Sequence, residues 1–153
     1  MIKAVFFDLD GVLINSEVQE QKWTKEYLDK NGIDIPMERF DLLIGTHKKQ
    51  NMWEKVLEGY KDKVPDTFKE DVRNYKMHKR HAFDYKEILF PDVVEYLTFL
   101  KHNSVKIACA SSSNIDYIKN ALSKCGIDEY FDLICTGDDF TESKPSPEIY
   151  LYC

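Results

Sequence analysis

Two aspartates one residue apart, Asp8 and Asp10, are the residues of this chain that are best placed to do chemistry. They end an apolar, aromatic run from Ala4 that is typical of a buried strand, and Gly11 follows at once. Side chains of an extended chain alternate between its faces, so both carboxylates lie on one side. Carboxylates at the end of a strand can accept a phosphoryl or acyl group, transfer protons or bind Mg²⁺. The alternative is a polar turn, which Asp and Gly also favour.

The composition excludes several classes of function. With 153 residues and a net charge of −6, the chain lacks the basic balance of a nucleic-acid-binding protein. The apolar N-terminal run stops at Asp8, too early for a membrane span, and no signal-peptide cleavage pattern follows. We therefore expect a cytoplasmic protein with no membrane and no nucleic acid among its partners.

The cysteines and paired histidines give no metal signal. His78 and His81 share a helix face without a third ligand nearby, which is typical of a solvated surface. The cysteines have no C-x-x-C spacing, and we expect them to be free and mostly buried. They are Cys109, Cys125, Cys135 and Cys153.

The order of predicted elements favours an α/β fold with a Rossmann-like parallel sheet. Strands are predicted at about 2–8, 105–110 and 131–135, with helices at about 92–103 and 115–125. No β alternation occurs over residues 16–85, where the pattern predicts four helices, at about 16–31, 36–45, 48–58 and 65–81. The predicted domains are a discontinuous core, 1–15 with 86–153, and an inserted all-helical domain, 16–85.

Three segments resemble, in the same order, the motifs of the haloacid dehalogenase-like (HAD) phosphohydrolases. Asp8–Leu13 matches their Asp-x-Asp-Gly-[Val/Thr]-[Leu/Ile] motif. The apolar strand ending at Ser111 is similar to the second motif, and Lys144–Tyr150 to the third, Lys-Pro-x-Pro-x-x-[Phe/Tyr]. The resemblance covers the whole chain and points to the β-phosphoglucomutase-like branch, in which the helical insertion is a mobile cap.

The resemblance implies a role for each motif residue in phosphoryl transfer. Asp8 would be the nucleophile that forms an aspartyl-phosphate, and Asp10 the general acid and base. Ser111 would donate a hydrogen bond to a phosphate oxygen, and Lys144 would balance the negative charge. The implied cofactor is Mg²⁺, held by Asp8 and by the backbone carbonyl of Asp10.

Further residues are assigned to the same predicted site. Gly11, Ser112 and Asn114 would bind phosphate, since the Ser-rich loop begins a helix whose free N–H groups favour an anion. Asn114 can instead serve only as a helix N-cap. Lys48, in a loop that resembles a substrate-specificity loop, would meet an anionic substrate or simply begin a solvated helix.

Asp138 and Asp139 follow the third predicted strand. They are candidates to reach the metal through water or to orient Lys144. The alternative is a plain acidic turn.

The resemblance leaves the reaction open between hydrolysis and mutase transfer. Glu20 stands where the mutase carries a histidine. The mutase also has an arginine near the position of Lys48 that binds the second phosphate, and this chain has none there. Both differences favour a phosphatase acting on a small phosphorylated metabolite such as a sugar phosphate. A β-phosphoglucomutase remains the alternative, as does an inactive fragment that binds phosphate or a partner chain.

The C-terminal end differs from the family pattern. The fourth, acidic motif of the family lies beyond the position of Cys153, and the last residues are typical of a helix without a stop signal. We therefore expect a C-terminally truncated HAD core. Its first strand would be an open sheet edge that could mediate self-association.

Overall fold

Three parallel strands form the centre of the first of two units in this computed structural model, which describes residues 2–43, 52–142 and 144–153. The strands are β1 (Ala4–Phe7), β2 (Lys106–Ser111) and β3 (Leu133–Thr136), in the order β1-β2-β3. Phe7 is in register with Cys109, and Ser111 with Thr136. All three strands therefore end at the same edge of the sheet, and the predicted α/β fold with a parallel sheet is confirmed.

The α-helices of the described residues, in order, have the following bounds. They are α1 (Ser16–Lys30), α2 (Met52–Val56), α3 (Phe68–Ala82), α4 (Val93–His102), α5 (Ile115–Cys125) and α6 (Glu148–Tyr152). The predicted helix at 36–45 is instead a 3-10 helix, Met37–Leu43, which follows Pro36. No described helix is long and apolar enough to cross a membrane.

The core of the first unit lies around β2 and α5. Residues Ile107–Ser111 of β2 are all buried, as expected for a central strand covered on both faces. Helix α5 buries Ile118, Ala121, Leu122 and Cys125, which lie on one helical face. The helix ends at Gly126, whose φ of 69° is the left-handed conformation that glycine adopts without strain.

Strand β1 is less covered than its apolar sequence indicates. Its residues alternate between exposed and partly buried, and the Phe6 side chain is 41% exposed. The prediction of a buried strand is wrong here, whereas the prediction of an open sheet edge is confirmed: β1 pairs with β2 on one side, and no strand of the described residues pairs with it on the other. Self-association through this edge stays a prediction.

The second unit, Glu17–Phe83, contains helices and no strand in its described part. Its core is an apolar cluster that includes Tyr27, Phe40 and Phe68. Arg39 joins two segments of this unit by donating hydrogen bonds to backbone carbonyl oxygens of Lys55, Val56 and Glu58. The predicted helix at 65–81 is confirmed as α3.

The expectation of four free cysteines is wrong for one pair. Cys109 and Cys125 are free and buried, but Cys135 and Cys153 form a disulfide. Helix α6 buries Ile149 beside Ala110 and Cys135, which brings the residue after the helix to the end of β3. Residue spacing could not indicate this pairing, because it depends on how α6 packs against the sheet.

Candidate active site

Asp8 and Lys144 form an ion pair where β1 ends. Lys144 Nζ lies 3.0 Å from Asp8 Oδ2 and donates a 2.6 Å hydrogen bond to the backbone oxygen of Ala110. The other carboxylate oxygen of Asp8 accepts a 2.8 Å hydrogen bond from the backbone N–H of Leu9. The Asp8 side chain is still 37% exposed. It therefore combines a neighbouring cation with access from solvent, which a carboxylate nucleophile requires.

Asp10 is held differently, by one hydroxyl group from a residue close to it along the chain and by two from the segment that follows β2. Its Oδ1 accepts hydrogen bonds from Ser16 Oγ at 2.6 Å and from the Tyr117 hydroxyl at 2.8 Å. Its Oδ2 accepts one from Ser113 Oγ at 3.0 Å. Donors of this kind orient the carboxylate without a charged partner. None of these three partners was predicted from the sequence, and only Ser16, six residues from Asp10, is close enough along the chain to be suspected.

The loop after β2 is ordered by its own hydrogen bonds. Ser111 is buried, and its Oγ accepts from the backbone N–H of Ser113 at 3.1 Å. The Asn114 side chain accepts from the N–H of Tyr117 at 2.9 Å, which is the N-cap geometry of α5. The geometry therefore supports the capping alternative for Asn114. Ser112 lies half-buried between Ser111 and the helix.

Gly137, directly after β3, was not among the predicted site residues. Its N–H and the Thr136 hydroxyl both donate to the backbone oxygen of Ser113, at 3.1 and 2.7 Å. A Cβ on Gly137 would overlap the backbone carbonyl of Ser112. The loops after β2 and β3 thus touch through backbone atoms, and only glycine permits this approach. A glycine immediately after a strand was the one sequence signal.

Gly11 shapes the turn that follows Asp10. Its φ of 76° is left-handed, and its N–H donates to the backbone oxygen of Ile14 at 2.9 Å. That N–H is therefore engaged within the turn rather than directed at a phosphate. Lys48 lies outside the described residues.

Asp138 supports the start of α5. Its Oδ2 accepts from the backbone N–H of Ile115 at 2.9 Å and lies 3.3 Å from the Thr136 hydroxyl. Asp138 and Asp139 are both exposed. The described residues contain no group of three or more His, Cys, Asp or Glu side chains that could hold a metal ion. The geometry thus favours the acidic-turn alternative and does not gather the four predicted ligands.

Of the four predicted metal ligands, Asp8 and Asp10 still offer oxygen atoms of the kind that Mg²⁺ prefers. Magnesium takes hard oxygen ligands and is commonly bound through one or two carboxylates together with waters and substrate phosphate. The half-exposed carboxylate of Asp8 and the backbone carbonyl of Asp10 are such oxygens. These two residues are the ones that would hold the metal.

Cys109 lies in β2, in register with the end of β1. Burial, and then the negative charges of Asp8 and Asp10, raise the pKa of its thiol to about 12. The thiol therefore stays protonated at neutral pH, and Cys109 is not a candidate nucleophile.

Comparison with known proteins gives one family over nearly the whole chain. The family model of the haloacid dehalogenase-like hydrolases matches residues 5–153. The Bacillus subtilis protein YhcW is 32% identical over 151 residues, which are 99% of this chain and 67% of that protein. A phosphorylated carbohydrates phosphatase from Thermotoga maritima is 27% identical over 98% of this chain and 68% of its own.

A solved structure agrees with the sequence comparisons. The β-phosphoglucomutase from Clostridium difficile is 28% identical, with a TM-score of 0.68 over 99% of this chain and 69% of that one. The chain thus spans about two thirds of the length of these relatives. With its three motifs and its sheet in agreement, the chain belongs to the haloacid dehalogenase-like hydrolases, in their β-phosphoglucomutase-like branch.

Proposed function

We propose that this chain carries the nucleophile of a Mg²⁺-dependent phosphatase that hydrolyses a small phosphorylated metabolite, of which a sugar phosphate is the first candidate. The observation that carries the proposal is the half-exposed Asp8 carboxylate paired with Lys144, two residues from a carboxylate held by three hydroxyls. The named activities of the Thermotoga and Clostridium relatives, on phosphorylated carbohydrates and as a phosphoglucomutase, support this class of substrate.

The reaction divides into two steps. A carboxylate oxygen of Asp8 attacks phosphorus, the bond from phosphorus to the leaving oxygen breaks, and Asp10 gives that oxygen a proton. Asp10 then takes a proton from a water molecule that attacks the phosphorus of the aspartyl-phosphate, which releases inorganic phosphate and restores Asp8. Lys144 keeps the charge near Asp8 balanced in both steps.

Mg²⁺, when bound, would neutralise phosphate charge beside Asp8. We assign no metal role to Asp138 or Asp139, since Asp138 is committed to the start of α5. We also propose that the helical unit Glu17–Phe83 is the cap. Its Glu20 is paired with Lys76 and Arg80, so the position of the mutase histidine holds a carboxylate engaged in ion pairs.

The test is the Asp8→Asn variant with p-nitrophenyl phosphate as substrate. An amide cannot attack phosphorus, so we expect turnover to fall by at least about a thousandfold. Asp128→Asn makes the same chemical change at an exposed position of the same unit and should leave turnover unchanged. Chelation by EDTA should also stop turnover, and added Mg²⁺ should restore it. If Asp8→Asn retains turnover within tenfold of the parent, the proposal fails.

The mutase alternative is favoured by the likeness to a solved β-phosphoglucomutase. The phosphatase and mutase activities are distinguished by incubating the parent with β-glucose 1-phosphate and a trace of glucose 1,6-bisphosphate, and by following the products with ³¹P NMR. A phosphatase releases inorganic phosphate, whereas a mutase accumulates glucose 6-phosphate. If the parent and Asp8→Asn show the same background rate, this chain does not catalyse the reaction, and the alternative of an inactive fragment is favoured.

A further inference from the structure

The hydroxyl of Tyr117 contacts the carboxylate of Asp10, although the two residues are far apart in the sequence. It donates a 2.8 Å hydrogen bond to Asp10 Oδ1, which also accepts from Ser16. An ionised carboxylate offers about four lone-pair positions, two on each oxygen. Both positions on Oδ1 are therefore taken, and Ser113 takes one on Oδ2. Among the described contacts, the position left for a proton is on Oδ2.

Contacts of both its backbone and its ring position Tyr117. The residue lies in the first turn of α5, where its backbone N–H is capped by the Asn114 side chain. Its ring meets the ring of Tyr85 edge to face, with centroids 6.0 Å apart, and Tyr85 is buried. The Tyr117 side chain therefore extends from the first turn of α5, past the Tyr85 ring, to the Asp10 carboxylate.

We propose that Tyr117 is a positioning residue for Asp10. It holds Oδ1, together with Ser16, so that Oδ2 is the oxygen that exchanges protons with the substrate. This inference rests on the proposed role of Asp10 as general acid and base. In the first step the proton moves from Asp10 Oδ2 to the leaving oxygen as its bond to phosphorus breaks, and Tyr117 keeps its own proton throughout.

A mispositioned acid harms only those substrates whose leaving group needs a proton. An alkoxide is a poor leaving group and depends on protonation, whereas p-nitrophenolate leaves without it. The kinetic constant kcat/KM covers the steps up to release of the leaving group. Comparing kcat/KM for the two kinds of substrate therefore separates the orientation of Asp10 from a general loss of structure.

The experiment compares Tyr117→Phe with the parent on glycerol 2-phosphate and on p-nitrophenyl phosphate. The Phe variant keeps the ring contact with Tyr85 and removes only the hydroxyl. We expect kcat/KM to fall roughly tenfold to a hundredfold for the alkyl phosphate and to stay within about threefold for the aryl phosphate. Tyr130→Phe is the matched control: its hydroxyl lies 3.0 Å from Thr98 Oγ1 in the same unit, and neither substrate should be affected.

Equal effects of Tyr117→Phe on both substrates, or no effect on either, would overturn the inference. Such a result differs from failure of the proposed function, in which Asp8→Asn itself would retain turnover.

A second measurement applies even where turnover is slow. The shift in urea midpoint caused by Tyr117→Phe is measured in the parent and in an Asp10→Ala background. We expect the shift to shrink to less than about a third once the acceptor is gone. An undiminished shift would show that the hydroxyl does not act on Asp10, and would overturn the inference.

Discussion

Replacing Gly137 by alanine tests how closely the loops after β2 and β3 approach each other. The added Cβ would lie 2.8 Å from the carbonyl carbon of Ser112 and 3.1 Å from its Cα, and closer still to the carbonyl oxygen. All three are backbone atoms, so no side-chain rotation relieves the overlap. The carbonyl oxygen is the closest of the three, so the loop after β2 must move away by more than about one ångström to reach ordinary contact distance.

Displacing the loop after β2 should lower the free energy of unfolding. Overpacking in a region without free volume typically destabilises by about 1 to 3 kcal/mol. For a chain of this size, about 2 kcal/mol lowers Tm by roughly 4 to 8 °C. The displacement also stretches the hydrogen bonds from Thr136 and Gly137 to the Ser113 oxygen, and through Ser113 it disturbs Asp10. We therefore expect kcat/KM for glycerol 2-phosphate, whose leaving group needs a proton from Asp10, to fall roughly tenfold.

Scanning calorimetry is the suitable assay. Both tryptophans, Trp23 and Trp53, lie in the helical unit, so tryptophan fluorescence would not report on the unit that contains Gly137. Gly126→Ala is the control in the same unit, because its added Cβ would meet only Lys86 Cε, at an ordinary 3.9 Å, and only the backbone conformation, with φ of 69°, opposes it. A Gly137→Ala protein that keeps the parent's Tm within about 1 °C and its full activity would refute this reasoning.

Three further predictions concern charges and thiols. Lys144→Met removes the cation beside Asp8 and should lower kcat/KM for p-nitrophenyl phosphate by about a hundredfold. Lys119→Met, at an exposed position of α5, should leave kcat/KM unchanged, and equal rates for the two variants would contradict the prediction. The backbone N–H of Ile107, and next Lys101, lower the pKa of Asp132 to about 2, so its contribution to stability is present above about pH 4 and is lost as pH falls through about 2. The urea midpoint of the parent should thus fall more steeply across that range than that of Asp132→Asn, and parallel curves would show that Asp132 is not responsible. Burial raises the pKa of Cys109 to about 12 and that of Cys125 to about 11. Neither thiol should therefore react with iodoacetamide in the folded protein at neutral pH, and mass spectrometry that finds either one alkylated before unfolding would be evidence against this burial.

The sequence alone determined the features that depend on local pattern. The continuous apolar run of β2, the Asn114 cap and the Gly126 stop of α5 follow from chemistry within a few residues, and so does the helical character of α3. The family followed from three short motifs in their order, because each motif sets side chains at the end of an element whose type the sequence already predicts. Asp8 and Lys144 were named together on that basis, and the structure places them 3.0 Å apart.

The tertiary structure decided everything that depends on distant segments meeting. Tyr117 reaches Asp10, Gly137 meets the Ser112 carbonyl and Cys153 joins Cys135 only because the elements carrying them are packed side by side. The role of Asp138 was decided in the same way: its carboxylate caps α5 from the loop after β3. Local sequence carries no record of these contacts, because each depends on the register of the sheet and on the angle at which a helix lies against it.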